Sequence, residues 1–254
     1  MENEKKQSIN TPTAIIVAGV LIMIAILVTN SSGVGNKIEK EKTLSEQVGV
    51  KKEAMDSCMK DTNLEDLYSS TATSADIVMK DIPALQRGTP YIVLVGKDGT
   101  KMELLGNIPY DDYNIPDVTE KQKGVKTTID NMLAGTAISN YKGEIPLPNE
   151  KDHIIGNLDA LVTIIEYSDL ECPYCKAFSV TAKKIVAESN GKVAWIYRHW
   201  PVHVNTSKGQ YALQKAAASE CVAKLKDNNA FWKYIDLVFG LMKTADDVEP
   251  TDNL

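Results

Sequence analysis

The second half of the chain alternates between apolar runs and stretches with helical spacing. Val162–Tyr167 is apolar and rich in β-branched residues, holds one acid, Glu166, and predicts a buried strand. Cys172–Asn190 predicts a helix that ends at an Asn-Gly pair, and the segment KVAWIYRHW predicts a second buried strand. This order is typical of a β-α-β unit with parallel strands. Two further helices are expected over Ser207–Leu225 and from Ala230 to about Lys243.

The first half of the chain predicts a β-hairpin followed by a helix. Tyr91–Val95 and Lys101–Leu105 have strand character, and the Gly-Lys-Asp-Gly segment between them predicts the turn. A helix is expected within Val118–Leu133. Two parallel strands rarely make a sheet alone, and an isolated hairpin is only marginally stable. We therefore expect the two halves to share one sheet in a mixed α/β domain.

A segment rich in turn-forming residues separates the halves. Residues 135–153 contain Gly135, Gly143, Pro146 and Pro148, which are typical of a linker. The domain is thus expected to consist of residues 43–134 and residues 154–254.

The N-terminal region contains an uncharged apolar segment. Thr11–Thr29 carries no charge, and its nineteen residues, at about 1.5 Å per helical residue, span roughly a bilayer core; residues 13–29 are the expected membrane segment. They predict a single-pass membrane anchor, with residues 1–12 as a short cytoplasmic tail and residues 30–42 as a stalk. A cleaved signal peptide is the alternative, but no convincing cleavage site follows the segment. Lysines on both sides leave the orientation undecided by the positive-inside rule.

Composition and charge narrow the function classes. The chain has 254 residues, a formal net charge of -6 and an isoelectric point near 5.2, so it lacks the basic surface expected of a nucleic-acid-binding protein. Its four cysteines are too few for a disulfide-framework mini-protein. They are sufficient for one redox pair and one structural pair.

Cys172 and Cys175 flank a Pro-Tyr dipeptide at the start of the predicted helix, shortly after the predicted strand Val162–Tyr167. With His199 and His203 they imitate a zinc site, but the gap between the two pairs is too long and a buried strand fills it. A purely structural bridge is disfavoured because so short a loop gains little entropy. The two histidines are expected to be surface or packing residues. A redox centre is the remaining interpretation.

Several segments together resemble the DsbA-like thiol–disulfide oxidoreductases, of the membrane-anchored bacterial type. The N-terminal two-thirds of that family resembles DHIIGNLDALVTIIEYSDLECPYCKAF, WIYRHWPV and ASECVAKL here. Its C-terminal third resembles VGVKKEAMDSCMK, GTPYIVLVGKDG, IPYDD and IDNML. The resemblance implies a thioredoxin-like fold with a helical insertion. Because the Gly-Thr-Pro segment here precedes the cysteines, it also implies a circular permutation with the anchor kept at the front.

The resemblance assigns roles to individual residues. Cys172, at a helix N-terminus, is implied to be the exposed nucleophile and Cys175 the resolving thiol. Glu166 matches the buried acid of the family, which exchanges a proton with the resolving thiol; a merely solvent-facing acid is the alternative. The remaining implied positions are Pro173 and Tyr174, which tune the redox potential, Pro90, which matches a cis-proline beside the pair, and Thr89, whose backbone meets an extended substrate.

The resemblance also implies a structural disulfide between Cys58 and Cys221, which lie in helical stretches of opposite halves. Two buried free thiols are one alternative. A swapped dimer, in which each half pairs with the opposite half of a second chain, is the other.

The implied function is that of an extracytoplasmic oxidase that introduces disulfides into secreted or cell-envelope proteins. Its partners would be the thiols of unfolded or partly folded secreted proteins and a quinone-linked membrane protein that reoxidises it, with no metal, cofactor or nucleic acid. The short N-terminal tail and the cysteine chemistry favour an N-terminus inside and a catalytic domain outside the cell membrane. A reductase, an isomerase or a non-catalytic chaperone-like module is the alternative function.

Overall fold

A computed structural model describes residues 42–202 and 209–242 of the chain. They belong to one compact unit, Lys42–Leu254. The expected tail, anchor and nearly all of the stalk, over residues 1–41, lie outside the described residues, as does His203. Within the described part of the chain, no helix combines the length and the hydropathy that crossing a membrane requires.

The fold is a mixed α/β, thioredoxin-like arrangement of one sheet and flanking helices. The helices described are α1 (Leu44–Gln47), α2 (Lys52–Asp61), α3 (Leu64–Val78), α4 (Val125–Leu133), α5 (Pro173–Glu188), α6 (Gly209–Leu225) and α7 (Asn228–Leu241), with a short 3₁₀ turn at Ala84–Gln86. The strands are β1 (Tyr91–Gly96), β2 (Lys101–Leu105), β3 (His153–Ile155), β4 (Val162–Ser168) and β5 (Val193–His199).

One helix begins before its predicted start because a local polar contact decides the boundary, and another occupies only part of its predicted range. Helix α7 begins at Asn228 rather than Ala230, since the Asp227 side chain accepts a hydrogen bond from the Ala230 N–H and caps the helix. Helix α4, Val125–Leu133, lies within the predicted range of Val118–Leu133. The preceding residues instead form a loop closed by a bridge between Tyr113 and Gln122.

The five strands form one sheet in the order β2-β1-β4-β5-β3. Strands β4 and β5 are parallel, whereas β1 pairs with β4 antiparallel, with Ile92 opposite Glu166 and Leu94 opposite Ile164. The two predicted half-domains therefore meet along the β1–β4 pairing, within one chain. Strand β3, at one edge, pairs antiparallel with β5.

The sheet separates two apolar cores because side chains alternate between its faces. Ile92, Leu94 and Ile164 face a large core that also contains Trp195 and Phe178. On this side the sheet is covered by residues from several helices, α4, α5, α6 and α7 among them. The opposite face carries a smaller core, whose members are Ala75, Val78, Met79, Tyr91, Val93, Tyr141, Ile165, Tyr167 and Ile196.

The predicted linker, residues 135–153, packs against the domain rather than forming only a tether. Its Asn140 side chain accepts a hydrogen bond from the Glu103 N–H at 2.6 Å and so covers the outer edge of β2. Asp152 forms a two-point ion pair with Arg198 of β5, at 2.8 and 2.9 Å. His153, the last linker residue in the prediction, is the first residue of β3.

A disulfide joins the two half-domains through their helices. Cys58 on α2 and Cys221 on α6 are bonded, with α-carbons 5.9 Å apart and a sequence separation of 163 residues. This is the pairing that the resemblance implies, and both sulfur atoms belong to the same chain.

Candidate redox site

The Cys172–Cys175 pair lies where β4 turns into α5. Cys172 is the N-cap residue of α5, and Pro173 occupies the first helical turn, where its missing N–H costs nothing. Asp169 holds the turn: its carbonyl oxygen accepts from the Cys172 N–H at 3.0 Å, and its carboxylate accepts from the Glu171 N–H at 2.7 Å. The same carboxylate accepts from the Val202 N–H at 3.0 Å. Asp169 thereby ties the cysteine turn to the segment that follows β5.

Thr89 and Pro90 come from the other half-domain and contact Cys172 directly. The Thr89–Pro90 peptide bond is cis, at the start of β1. The Cys172 thiol donates a hydrogen bond to the Thr89 carbonyl oxygen at 3.3 Å. The site is therefore assembled only when the two half-domains pair.

Cys172 is less exposed than its expected role suggests. Only 4% of its surface is accessible, so the expectation of an exposed nucleophile is wrong for this state; the nearby Thr89–Pro90 segment contributes to its burial. A hydrogen bond from the Cys175 thiol lowers the pKa of Cys172 to about 6, with help from Thr89 and from backbone N–H groups at the helix start and in spite of burial. The Cys172 thiol, which donates to the Thr89 carbonyl oxygen while it is protonated, is thus more acidic than an ordinary cysteine.

Cys175 lies in a different environment one turn along the helix. It is fully buried, and the Asp169 N–H donates a hydrogen bond to its sulfur at 3.4 Å. Burial, the hydrogen bond to Cys172 and the nearby Glu166 carboxyl raise the pKa of Cys175 well above its usual value. Both cysteines are free thiols in this structure. The pair therefore combines one acidic thiol with one that holds its proton.

Glu166 lies beneath the pair in the middle of the sheet. It is completely buried, and one carboxyl oxygen accepts a hydrogen bond from the Trp195 indole N–H at 3.0 Å. Burial raises the pKa of Glu166 to about 8, although nearby Ser168 and Trp195 favour the charged form. The alternative of a solvent-facing strand acid is therefore wrong: Glu166 projects into the large core, on the same side of the sheet as Cys175.

The dipeptide between the cysteines faces outward. Tyr174 is 56% exposed and Pro173 is half-buried, so both lie at the surface beside Cys172.

His199 does not contact the cysteines in the part of the chain that the structure describes. His199 is buried, its ring contacts Phe231 edge-on, and its Nε2 lies 2.8 Å from the Ser219 hydroxyl. Burial lowers the pKa of His199 to about 4, so it is a neutral packing residue above that pH. Within residues 42–202 and 209–242, no group of three or more His, Cys, Asp or Glu side chains is arranged to hold a metal ion.

Three residues of the site were not identified from the sequence. Asp169 fixes the cysteine turn, while the hydroxyls of Ser168 and Tyr197 lie buried near Glu166. For Asp169 the position directly after a buried strand was an available signal. The sequence offers no comparable signal for Tyr197, because an aromatic residue in a buried strand is ordinarily a packing residue of the hydrophobic core.

Residues 148–249 match the family model described as thioredoxin. Among curated proteins, the chain is 33% identical over 110 residues to Na(+)/H(+) antiporter NhaA 3 of Salinispora tropica, covering 43% of this chain. It is 35% identical over 96 residues to Na(+)/H(+) antiporter NhaA of Herminiimonas arsenicoxydans, covering 38% of this chain. The chain spans only 15% and 14% of the length of these two relatives. The antiport activity in their names is therefore stated of those proteins alone.

A solved structure, that of DsbA2 from Pseudomonas aeruginosa, is also similar. It is 33% identical, and the match covers 37% of this chain and 50% of that one, with a TM-score of 0.32.

The different acidities of the two thiols lead to a labelling prediction. An alkylating agent should modify Cys172 first, at a rate that rises with pH through about 6, because the thiolate is the reacting form. Cys175 should stay unmodified. Mass spectrometry of the reduced protein after timed alkylation measures both sites. The Cys172→Ser variant should lose nearly all early labelling, and preferential labelling of Cys175 would reverse the assignment.

Proposed function

We propose that this protein is a thiol–disulfide oxidoreductase that oxidises protein dithiols through Cys172 and Cys175. The observation that carries the proposal is the pairing of a low-pKa Cys172 at the N-terminus of α5 with a buried, high-pKa Cys175. A stabilised thiolate favours the reduced pair, and this makes its disulfide a better oxidant.

The proposed reaction starts from the Cys172–Cys175 disulfide. A substrate thiolate attacks the Cys172 sulfur, which breaks the internal disulfide, forms a mixed disulfide and releases Cys175 as a thiolate that takes up a proton. A second substrate thiolate then attacks the substrate sulfur of the mixed disulfide and releases Cys172 as a thiolate. The substrate loses two electrons and gains a disulfide, while the protein pair becomes a dithiol.

The surrounding residues fit auxiliary roles in this reaction. Thr89 brings its carbonyl oxygen to the Cys172 sulfur, so an extended substrate segment beside Pro90 would approach the same atom. Tyr174 is exposed next to Cys172 and would contact that segment, and with Pro173 it would tune the potential of the pair. Glu166, with its raised pKa, would supply the proton that Cys175 takes up.

The chain order and cellular setting form part of the proposal. The half-domain with the cis-proline hairpin precedes the half-domain with the cysteines, and together they make one sheet. We propose that this order is a circular permutation of the DsbA-like arrangement. The apolar segment at residues 13–29 would anchor the domain outside the cell membrane, with the N-terminus inside, where substrates are secreted proteins and a quinone-linked membrane partner restores the disulfide.

The reduction potential of the Cys172–Cys175 pair tests the function. Equilibration of the purified protein with glutathione buffers should give a potential near the roughly −120 mV of a strong dithiol oxidase. The oxidised protein should also form a disulfide in a two-cysteine peptide, and Cys172→Ser should abolish that activity. A potential near the roughly −270 mV of thioredoxin would favour the reductase alternative. Failure of the wild type to exchange with any thiol would favour a non-catalytic module.

The proposed location has its own test. A reporter enzyme that is active only after export, fused behind Leu254, should be active in a bacterial host expressing the full chain. Deleting residues 13–29 should abolish reporter activity while the soluble domain retains its thiol chemistry. Activity of a cytoplasm-specific reporter at the same position would reject the location.

A further inference from the structure

Three polar groups lie together in the large core, and none of them forms a well-aligned hydrogen bond to a described residue outside the group. They are the Oε1 atom of Glu166, the hydroxyl of Ser168 and the hydroxyl of Tyr197, and we call them the Glu166 cluster. Each of these residues is at most 1% exposed. Buried polar groups are usually satisfied, so three in one place indicate a function or a bound water.

The sheet places the cluster residues beside one another. Glu166 on β4 is the direct register partner of Tyr197 on the neighbouring parallel strand β5. Ser168 lies two residues further along β4, on the same face as Glu166. The other carboxyl oxygen of Glu166 is already occupied by the Trp195 N–H, so Oε1 is the atom left to accept a donor.

The cluster holds two hydroxyl donors, since Ser168 interacts with both Glu166 and Tyr197, and Tyr197 is the one that comes from the neighbouring strand. Its phenol is completely buried, and burial raises its pKa well above the usual value, so it remains a hydroxyl that can donate. Cys175 also lies near enough to act electrostatically on Tyr197. The titratable groups that surround the cluster are Cys172 and Cys175 on α5, Tyr197 on β5 and Asp169 after β4.

We propose that Tyr197 is a positioning residue that donates a hydrogen bond to Glu166 Oε1, directly or through one water, and sets the pH at which Glu166 releases its proton to Cys175. The role in catalysis rests on the proposed function. In that reaction Cys175 leaves as a thiolate, the Glu166 carboxylic acid transfers one proton to it, and a Cys175 thiol and a Glu166 carboxylate result. Tyr197 keeps its own proton throughout and stabilises the carboxylate that forms.

Titration of the Glu166 carboxyl tests the proposal. Infrared difference spectroscopy against pH follows the carboxylic acid band of the reduced protein, and the band lost in Glu166→Gln identifies it. Tyr197→Phe should move the midpoint upward by about one pH unit, because the carboxylate loses a stabilising hydrogen bond. Tyr234→Phe is the matched control: it removes another buried phenol, whose pKa is raised by burial alone, and should leave the midpoint unchanged.

A second variant keeps the test valid if Tyr197→Phe does not fold. Replacing Tyr197 by a ring-fluorinated tyrosine preserves its shape but makes the hydroxyl a stronger donor, so the midpoint should move downward. Opposite shifts in the two variants support the proposal. An unchanged midpoint in the folded variants overturns it, since a purely structural tyrosine would not act on the titration.

The kinetic measurement separates this proposal from the proposed function. The rate of mixed-disulfide formation with a two-cysteine peptide should fall at high pH as Glu166 loses its proton. In Tyr197→Phe this fall should move upward with the infrared midpoint. If the midpoint moves but the wild type oxidises no peptide, the proposed function fails and the hydrogen bond stands. If the peptide is oxidised but neither midpoint nor rate profile moves, the assignment of Tyr197 fails alone.

Discussion

Replacing Glu166 with glutamine should stabilise the reduced protein at neutral pH while slowing thiol–disulfide exchange. The carboxyl is completely buried, and burial raises its pKa from an ordinary value of 4.5 to about 8. Below the pKa that Glu166 has in the unfolded protein, the carboxyl is protonated in both the folded and the unfolded state. The buried carboxyl then carries no charge that would destabilise the fold. As pH rises from about 4.5 to about 8, the unfolded state releases its proton while the folded state retains it, so wild-type stability falls across this window.

The variant should escape this loss. A glutamine side chain does not ionise in this pH range, and its amide oxygen can still accept the hydrogen bond that the Trp195 indole N–H donates to Glu166 in the wild type. We expect Glu166→Gln to gain about 2–4 kcal/mol in the free energy of unfolding at pH 8, below the limit of about 5 kcal/mol that the full pKa shift sets. The gain should shrink to nearly zero by about pH 4, where both states of the wild type are protonated.

Urea unfolding of the reduced proteins at several pH values measures the difference. The exposed Glu120→Gln serves as the control, since it removes a carboxyl from the surface and should alter stability little. A wild-type stability that does not fall relative to Glu166→Gln between about pH 4.5 and pH 8 would refute the raised pKa.

Removing the Cys58–Cys221 disulfide should destabilise the domain by about 2–4 kcal/mol. The bond closes a loop with a sequence separation of 163 residues, so it strongly restricts the unfolded chain. The paired variant Cys58→Ala with Cys221→Ala should nevertheless fold, because the β1–β4 pairing and the large core still join the half-domains. Peptide oxidation by Cys172 and Cys175 should persist at temperatures where the variant is folded.

Denaturant unfolding under non-reducing conditions measures this loss. The matched control is Cys172→Ala with Cys175→Ala, which removes a pair that closes only a short loop and should lose much less stability than the first variant. Equal stability of the wild type and the Cys58/Cys221 variant would show that the bond restricts little of the unfolded state.

The elements with strong sequence patterns are the ones that the sequence predicts well. Val162–Tyr167 and Tyr91–Val95 are recognisable as strands because they are continuous apolar runs, and the structure extends each by one residue. Strand β3 was missed because three residues show no periodicity, and it is a strand only through pairing with β5. Helix α3 was missed because SSTATSAD has weak helix propensity; the Asn63 cap and the burial of Val78 against the sheet favour it.

The chemistry of the site was more accessible from the sequence than its surroundings. Cys172 and Cys175 are evident from their spacing, and Glu166 from being an acid in an apolar run. The burial of Cys172 and the position of Tyr197 depend on how two strands and a distant loop pack. No local pattern encodes such contacts, because they form between residues far apart in sequence.

The β1–β4 pairing has a consequence for biosynthesis. Ribosomes make β1 and β2 well before β4, so the nascent hairpin has one edge without its permanent neighbour, and a lone hairpin is only marginally stable. Until β4 is made, Ile92 and Leu94 lack much of their burial, and exposed apolar surface of this kind makes a growing chain prone to aggregation. Cys172 then reaches Thr89 only as the central strands dock. Incomplete chains consequently lack the contact between Cys172 and Thr89 that the folded site contains.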